Sequence, residues 1–162
     1  MTAETVTLSD ARCVALRRAG PADRAAVERL LADQALPREG VAEWLAHFWL
    51  AERDGAVVGV AGVELHGAAA LLRSVAVGPA WRGSGLGRLL TERALEEAQA
   101  AGARDVYLLT TTAEHYFPRL GFVRLAREAA PAALAASAEF RGACPASAVL
   151  MHRATGPAVA DP

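Results

Sequence analysis

The sequence predicts an α/β (or α+β) domain built around a single sheet. Strand-type and helix-type segments, about seven and about four, are mixed along the chain rather than grouped. Two runs rich in valine, leucine and alanine, residues 56–65 and 71–77, have the apolar composition of strands in a core. A third observation is the passage from Val75 to Gly87, which runs from the second of these strands, through a glycine-rich loop, into the clearest amphipathic helix of the chain. With 162 residues, 53% hydrophobic and 22% charged, the chain can bury one real core but not two ordinary ones. One domain is therefore expected over residues 1–154. Residues 155–162, small, proline-containing and aperiodic, are expected as a loose tail.

Residues 13–18 (Cys-Val-Ala-Leu-Arg-Arg) read as the first strand. Pro21, Ala22 and Asp23 open a helix carrying Val27, Leu30 and Leu31 at helical spacing. Residues 41–47 form a second, short helix and residues 48–53 a strand, closed by the tight-turn pair Asp54-Gly55. Strands follow at 56–65 and 71–77, the latter interrupted only by Arg73 and Ser74. In the helix over residues 85–101, Leu86, Leu89, Leu90, Ala94 and Ala98 make one stripe, and Gly102 is the stop. Residues 105–110 are a strand, and 113–120 a short helix ended by Gly121. Pro118 has no amide to donate there, so that helix starts late or is distorted. Strands at 122–125 and 146–152 complete the set.

The formal charge of −1 offers no general attraction for nucleic acid or anionic lipid. All 17 basic residues are arginine, so no lysine is available as a base or Schiff-base nucleophile. The N-terminus lacks a basic-then-apolar leader pattern, and no uncharged run could span a bilayer. Cys13 and Cys144 make no disulfide framework, and two reduced thiols fit a cytoplasmic protein. Two cysteines also cannot supply a three-thiolate metalloid site within one chain, and no metal is expected. Cys144 reads as a small buried residue or a pocket wall.

The loop Arg82-Gly83-Ser84-Gly85-Leu86-Gly87 at a helix start exposes backbone N–H groups, with the positive end of the helix dipole behind them. Such a cradle suits phosphate, which bare glycines let approach closely. With Val75-Ala76-Val77 before it and Leu120-Gly121-Phe122 after the next strand, the chain resembles the GNAT superfamily of acyl-coenzyme A-dependent N-acyltransferases. The resemblance runs from about Val14 to Met151. It implies a mixed, largely antiparallel sheet, splayed at the central parallel strands. Residues 107–113 (Tyr-Leu-Leu-Thr-Thr-Thr-Ala) and 116–122, Glu139-Phe140, and residues 144–148 (Cys-Pro-Ala-Ser-Ala) resemble the arsenic-resistance N-acetyltransferases within it. A short bacterial glutamate N-acetyltransferase type is similar.

The resemblance implies that Arg82, Gly85 and Gly87 mark a coenzyme A diphosphate site, with amides from Gly83, Ser84, Gly85, Leu86, Gly87 and Arg88 as donors. It implies that backbone groups of Val75 and Val77 pair with the pantetheine arm, and that an amide at Val75 or Ala76 holds the thioester oxygen. Thr110 and Phe117 fall at cofactor-contacting positions. Members often have asparagine where Thr110 stands, and a tyrosine acid where Phe117 stands. Tyr116, one place earlier, points elsewhere and is not assigned that role.

Attack on the thioester needs a neutral amine, hence a base. Glu64, late in an apolar strand, is the first candidate, and an exposed strand-end carboxylate is the competing reading. His66 and His115 are weaker candidates. Arg73, with Ser74, interrupts a core strand and must find an anion, either a structural carboxylate or the carboxylate of an amino-acid-like acceptor. The expected function is acetyl transfer from acetyl-CoA to the amine of a small amino-acid-like acceptor, by resemblance an arsenic-containing glutamate analogue. Glutamate itself, in arginine biosynthesis, is the enzyme alternative. A non-catalytic coenzyme A-binding regulatory module is the alternative that Phe117 favours, and a peptide acetyltransferase ranks lower. The resemblance also suggests a homodimer.

Overall fold

The computed structural model describes residues 2–156, so residues 157–162 of the expected tail lie outside the described residues. Eight strands form one sheet: β1 (Glu4–Thr7), β2 (Cys13–Arg18), β3 (Phe48–Arg53), β4 (Ala56–His66), β5 (Ala69–Val77), β6 (Asp105–Thr110), β7 (Val123–Leu125) and β8 (Val149–Ala154). Their order is β1-β2-β3-β4-β5-β6-β8-β7. β5 and β6 are parallel, and the β1–β2, β2–β3, β3–β4, β6–β8 and β7–β8 pairs are antiparallel. The helices are α1 (Arg24–Asp33), α2 (Val41–Trp44) and α3 (Leu86–Ala100). The fourth predicted helix is a 3₁₀ turn at Phe117–Leu120, starting late as Pro118 requires. β1 was not anticipated. It has one apolar residue, Val6, and exists through its pairing to β2 from Glu4↔Leu16 to Thr7↔Cys13. No helix among the described residues is long and apolar enough to cross a membrane.

The chain divides into two compact units, each with its own core. One comprises residues up to Gly62 together with Ser74–Ala94. Here Val27 and Leu31 of α1 pack with Val41, Leu45, Phe48, Leu50, Val60 and Ala76. The β3–β4 hairpin turns at Asp54 and Gly55, both left-handed (φ 53° and 80°), as a type I′ turn requires. Two glycines of β4 leave room for bulk above them. A Cβ on Gly59 would lie 2.8 Å from Leu90 Cδ1 and 3.1 Å from Leu86 Cδ2 of α3, so α3 sits directly on the strand. A Cβ on Gly62 would lie 2.3 Å from Cδ1 and Cε1 of its cross-strand partner Phe48, which is fully buried. Gly62→Ala is therefore expected to destabilise the protein by about 1–3 kcal/mol through overpacking. Urea denaturation measures it, and an unshifted midpoint would refute the packing argument.

The other unit comprises Val63–Arg73 and residues from Leu95 onward. Its core joins Ala69 and Leu71 of β5 to Leu134, with Tyr107 and Phe140 packed against them. Leu134 comes from a 3₁₀ segment, Ala132–Ala136, and Phe140 from a π-type turn, Glu139–Ala143. The parallel register of β5 with β6 covers only Ala69–Leu71 against Asp105–Tyr107, although β5 runs on to Val77 and β6 to Thr110.

Candidate active site

In the first unit β5 leads through a 3₁₀ turn, Pro79–Trp81, into residues 82–85 and then α3. The Gly78 amide ties this turn to the Val58 carbonyl (2.8 Å). Gly83 and Gly85 are left-handed, at φ 78° and 88°, which explains glycine at both. Exposure alternates along the loop. Arg82, Gly83, Gly85 and Arg88 face solvent, Gly87 is half-buried, and Ser84 and Leu86 are buried. Ser84 has its groups engaged inside the protein. Its Oγ donates to the Trp81 carbonyl and accepts from the Leu86 amide (3.3 Å), and its own amide donates to the Trp81 carbonyl (3.3 Å). The Ser84 and Leu86 amides, expected as phosphate donors, are thus already committed. Gly83 and Gly85 have no acceptor among the described residues, and Gly87 and Arg88 lie in the first helical turn, whose amides lack a carbonyl one turn back. Four amides at a helix start, two of them on left-handed glycines, are the kind of donor set that can bind an anion.

Within β5, Ser74 is buried yet left-handed (φ 59°), a costly conformation for a non-glycine residue. It interrupts the extended repeat just before Val75, the segment expected to face a thioester. Val75 and Val77 are half-buried and Ala76 is buried. Gln34 Nε2, at the end of α1, donates to the Val77 carbonyl (2.5 Å), so any ligand amide at that carbonyl must share it.

The second unit holds a buried charged cluster. Alternation along β4 puts Glu64 and His66 on one face. The Glu64 side chain is 0% exposed, which overturns the reading of an exposed strand-end carboxylate. Its Oε2 accepts from Arg73 Nη1 (2.6 Å), and its Oε1 lies 2.9 Å from His66 Nε2. Arg73, also 0% exposed, approaches a second buried carboxylate, with Nε 3.7 Å from Glu139 Oε2. Arg73 therefore finds its anions inside the chain. The acceptor-clamp alternative has no exposed guanidinium atom to work with. His66 retains an accessible side chain at 9%, whereas His115 sits on an exposed turn. Cys144 adjoins the cluster. Burial, the charge of Glu139 and a hydrogen bond to it push its thiol up to about 12, so it stays protonated and serves neither as nucleophile nor as thiolate ligand. Both cysteines are free.

The Thr110 hydroxyl accepts from the Ala113 amide (2.9 Å), closing the turn after β6. Phe117, expected at a cofactor-contacting position, is buried edge-to-face against Tyr116 and Phe122. Glu139, Gln34 and Ser9, the last bonded to Ser84, received no role from the sequence. Only Glu139 carried a signal, as part of the Glu139-Phe140 pair.

Residues 44–124 match the family model described as an acetyltransferase (GNAT) domain. An uncharacterised N-acetyltransferase of Chlorobaculum tepidum is 31% identical over 124 residues, covering 72% of this chain and 79% of that protein. An amino-acid acetyltransferase of Pseudomonas aeruginosa is 32% identical over 106 residues, covering 64% of this chain but only 24% of that protein. Among solved structures, an N-acetylglutamate synthase from Neisseria gonorrhoeae complexed with coenzyme A and N-acetyl-glutamate superposes with a TM-score of 0.74 at 22% identity. It covers 89% of this chain and 35% of that one, a likeness of fold.

Proposed function

This chain belongs to the GNAT acetyltransferase family, and from that premise we propose that residues 1–154 act as one domain transferring acetyl from acetyl-CoA to the amine of a small amino-acid-like acceptor. The observation that carries the reading is the cradle of amides at Gly83, Gly85, Gly87 and Arg88, with Arg82 exposed beside it. In this reading these groups bind the coenzyme A diphosphate. The backbone of Val75 to Val77 aligns the pantetheine arm, and an amide at Val75 or Ala76 stabilises the oxyanion.

Glu64 has both oxygens occupied and no accessible surface, so it works through His66. His66 takes the proton from the acceptor ammonium while Glu64 holds the imidazole. The amine nitrogen then bonds to the thioester carbonyl carbon, the C–S bond breaks, and the nitrogen gives its second proton to solvent to leave the neutral amide. The departing thiolate, whose conjugate acid has a pKa of about 8.5, is a fair leaving group without a dedicated acid and takes its proton from solvent.

The acceptor we favour is an arsenic-containing analogue of glutamate, on the resemblance of residues 107–122, Glu139-Phe140 and residues 144–148 to arsenic-resistance enzymes. The 32% identity to amino-acid acetyltransferases supports glutamate as the second reading. An acceptor screen that follows thiol release from acetyl-CoA separates them. Turnover on arsinic and phosphinic glutamate analogues well above that on glutamate supports the first, and the reverse supports the second. Acetyl-CoA binding without thiol release across an amine panel would sink both and leave a coenzyme A-binding module.

A further inference from the structure

The loop joining β1 to β2 has no part in the chemistry above, yet it grips the diphosphate loop at two points. Ser9 reaches Ser84, 75 residues further along the chain. Its amide donates to the Ser84 carbonyl (3.3 Å), and its Oγ donates to the same oxygen (2.8 Å). Three residues on, the Arg12 guanidinium lies 4.1 Å from the centre of the Trp81 ring, held there by two bonds to Asp10 Oδ2 (2.7 and 2.9 Å). The β1–β2 loop is itself closed. The Leu8 amide donates to the Arg12 carbonyl (2.7 Å), the Ala11 amide donates to the Leu8 carbonyl (2.9 Å), and the Leu8 side chain is buried.

Ser84 thus has every polar group engaged. Its N–H goes to Trp81, its Oγ lies between the Trp81 carbonyl and the Leu86 amide, and its carbonyl goes to Ser9. The residues on either side, Gly83 and Gly85, are left-handed glycines with the widest backbone freedom of any residue, and nothing packs within 4 Å of the Gly83 Cβ position. A carbonyl oxygen aimed at a diphosphate repels it. Two donors from Ser9 hold this oxygen, so the loop can present amides to an anion without first reorganising. Removing that ordering cost before binding raises affinity without adding a contact to the ligand.

Building on the coenzyme A site proposed above, we infer that Ser9 is a positioning residue for the diphosphate, one that sets the loop by fixing the Ser84 carbonyl. Ser9→Ala and Ser9→Thr test it, titrated calorimetrically with coenzyme A and with S-acetylpantetheine, which carries the thioester arm but no diphosphate. Loss of one hydrogen bond that orders the loop should weaken coenzyme A binding about three- to tenfold in Ser9→Ala. The ratio of the two affinities should shift by the same factor, and Ser9→Thr, which keeps the hydroxyl, should restore it. An equal loss on both ligands would show a general structural role and overturn the inference. So would an affinity for coenzyme A in Ser9→Ala equal to that of the unmodified protein. Absence of any coenzyme A heat in the unmodified protein would instead overturn the site itself, a result distinct from either.

Discussion

Replacing Arg73 by alanine is expected to destabilise the fold by about 3–5 kcal/mol, the usual cost of removing one partner from a buried ion pair. The loss strands two carboxylates. Glu64, 2.6 Å from the guanidinium, has no exposed surface, and Glu139 is nearly as buried. In a chain of this length the melting temperature should fall by about 6–20 °C. The contrast with a ligand-clamp role is sharp. A clamp would leave melting almost untouched and raise the acceptor KM alone, and that pattern would refute the structural assignment. A compensated variant separates lost charge balance from lost volume. Arg73→Met combined with Glu64→Gln and Glu139→Gln removes all three charges while keeping shape, and should recover most of the stability lost by Arg73→Ala.

His66→Ala is expected to lower kcat on the amine acceptor about 100- to 1,000-fold, within the range for loss of a positioned general base. The KM for acetyl-CoA should change little, because the proposed diphosphate site is built from other residues. The rate-against-pH profile should also lose the limb that reports the base, a change that mere loss of packing would not produce. Glu64→Gln keeps the shape beside His66 and removes the charge that orients it, so a smaller loss in kcat is expected. If His66→Ala retains kcat within threefold and keeps the same profile, the proton leaves by another route.

The parts of the fold legible in the sequence are those that local pattern controls. Strands at 13–18, 48–53 and 105–110 match the observed β2, β3 and β6 end to end. The glycine-rich loop announced its own conformation, since Gly83 and Gly85 both take φ values that other residues avoid. β1 escaped because Glu4, Thr5 and Thr7 carry no apolar signal and the strand exists through its neighbour. The segment between β7 and β8 escaped for a different reason. Its short 3₁₀ and π-type turns lack a repeating period, yet they deliver Leu134 and Glu139 to buried positions. For the site, the need of Arg73 for an anion was readable from burial cost alone. That the anion is Glu64, which itself engages His66, depended on side-chain geometry that strand alternation does not specify. Ser84 shows the opposite error. It stood among the expected ligand groups by position, and the fold uses it as an internal tie.

The bare backbone at Gly59 has a bearing on recognition at a distance. Leu86 and Leu90, one helical turn apart at the front of α3, rest on that single spot of β4. Any side chain there would act as a fulcrum under the leading turn, tipping the amides of the proposed anion site. Displacements of about 1 Å in a reacting geometry can cost about a hundredfold in rate. If the proposed diphosphate site holds, donor binding then depends on a strand residue with no side chain at all, and Gly59→Ala should weaken coenzyme A binding by leaning the helix.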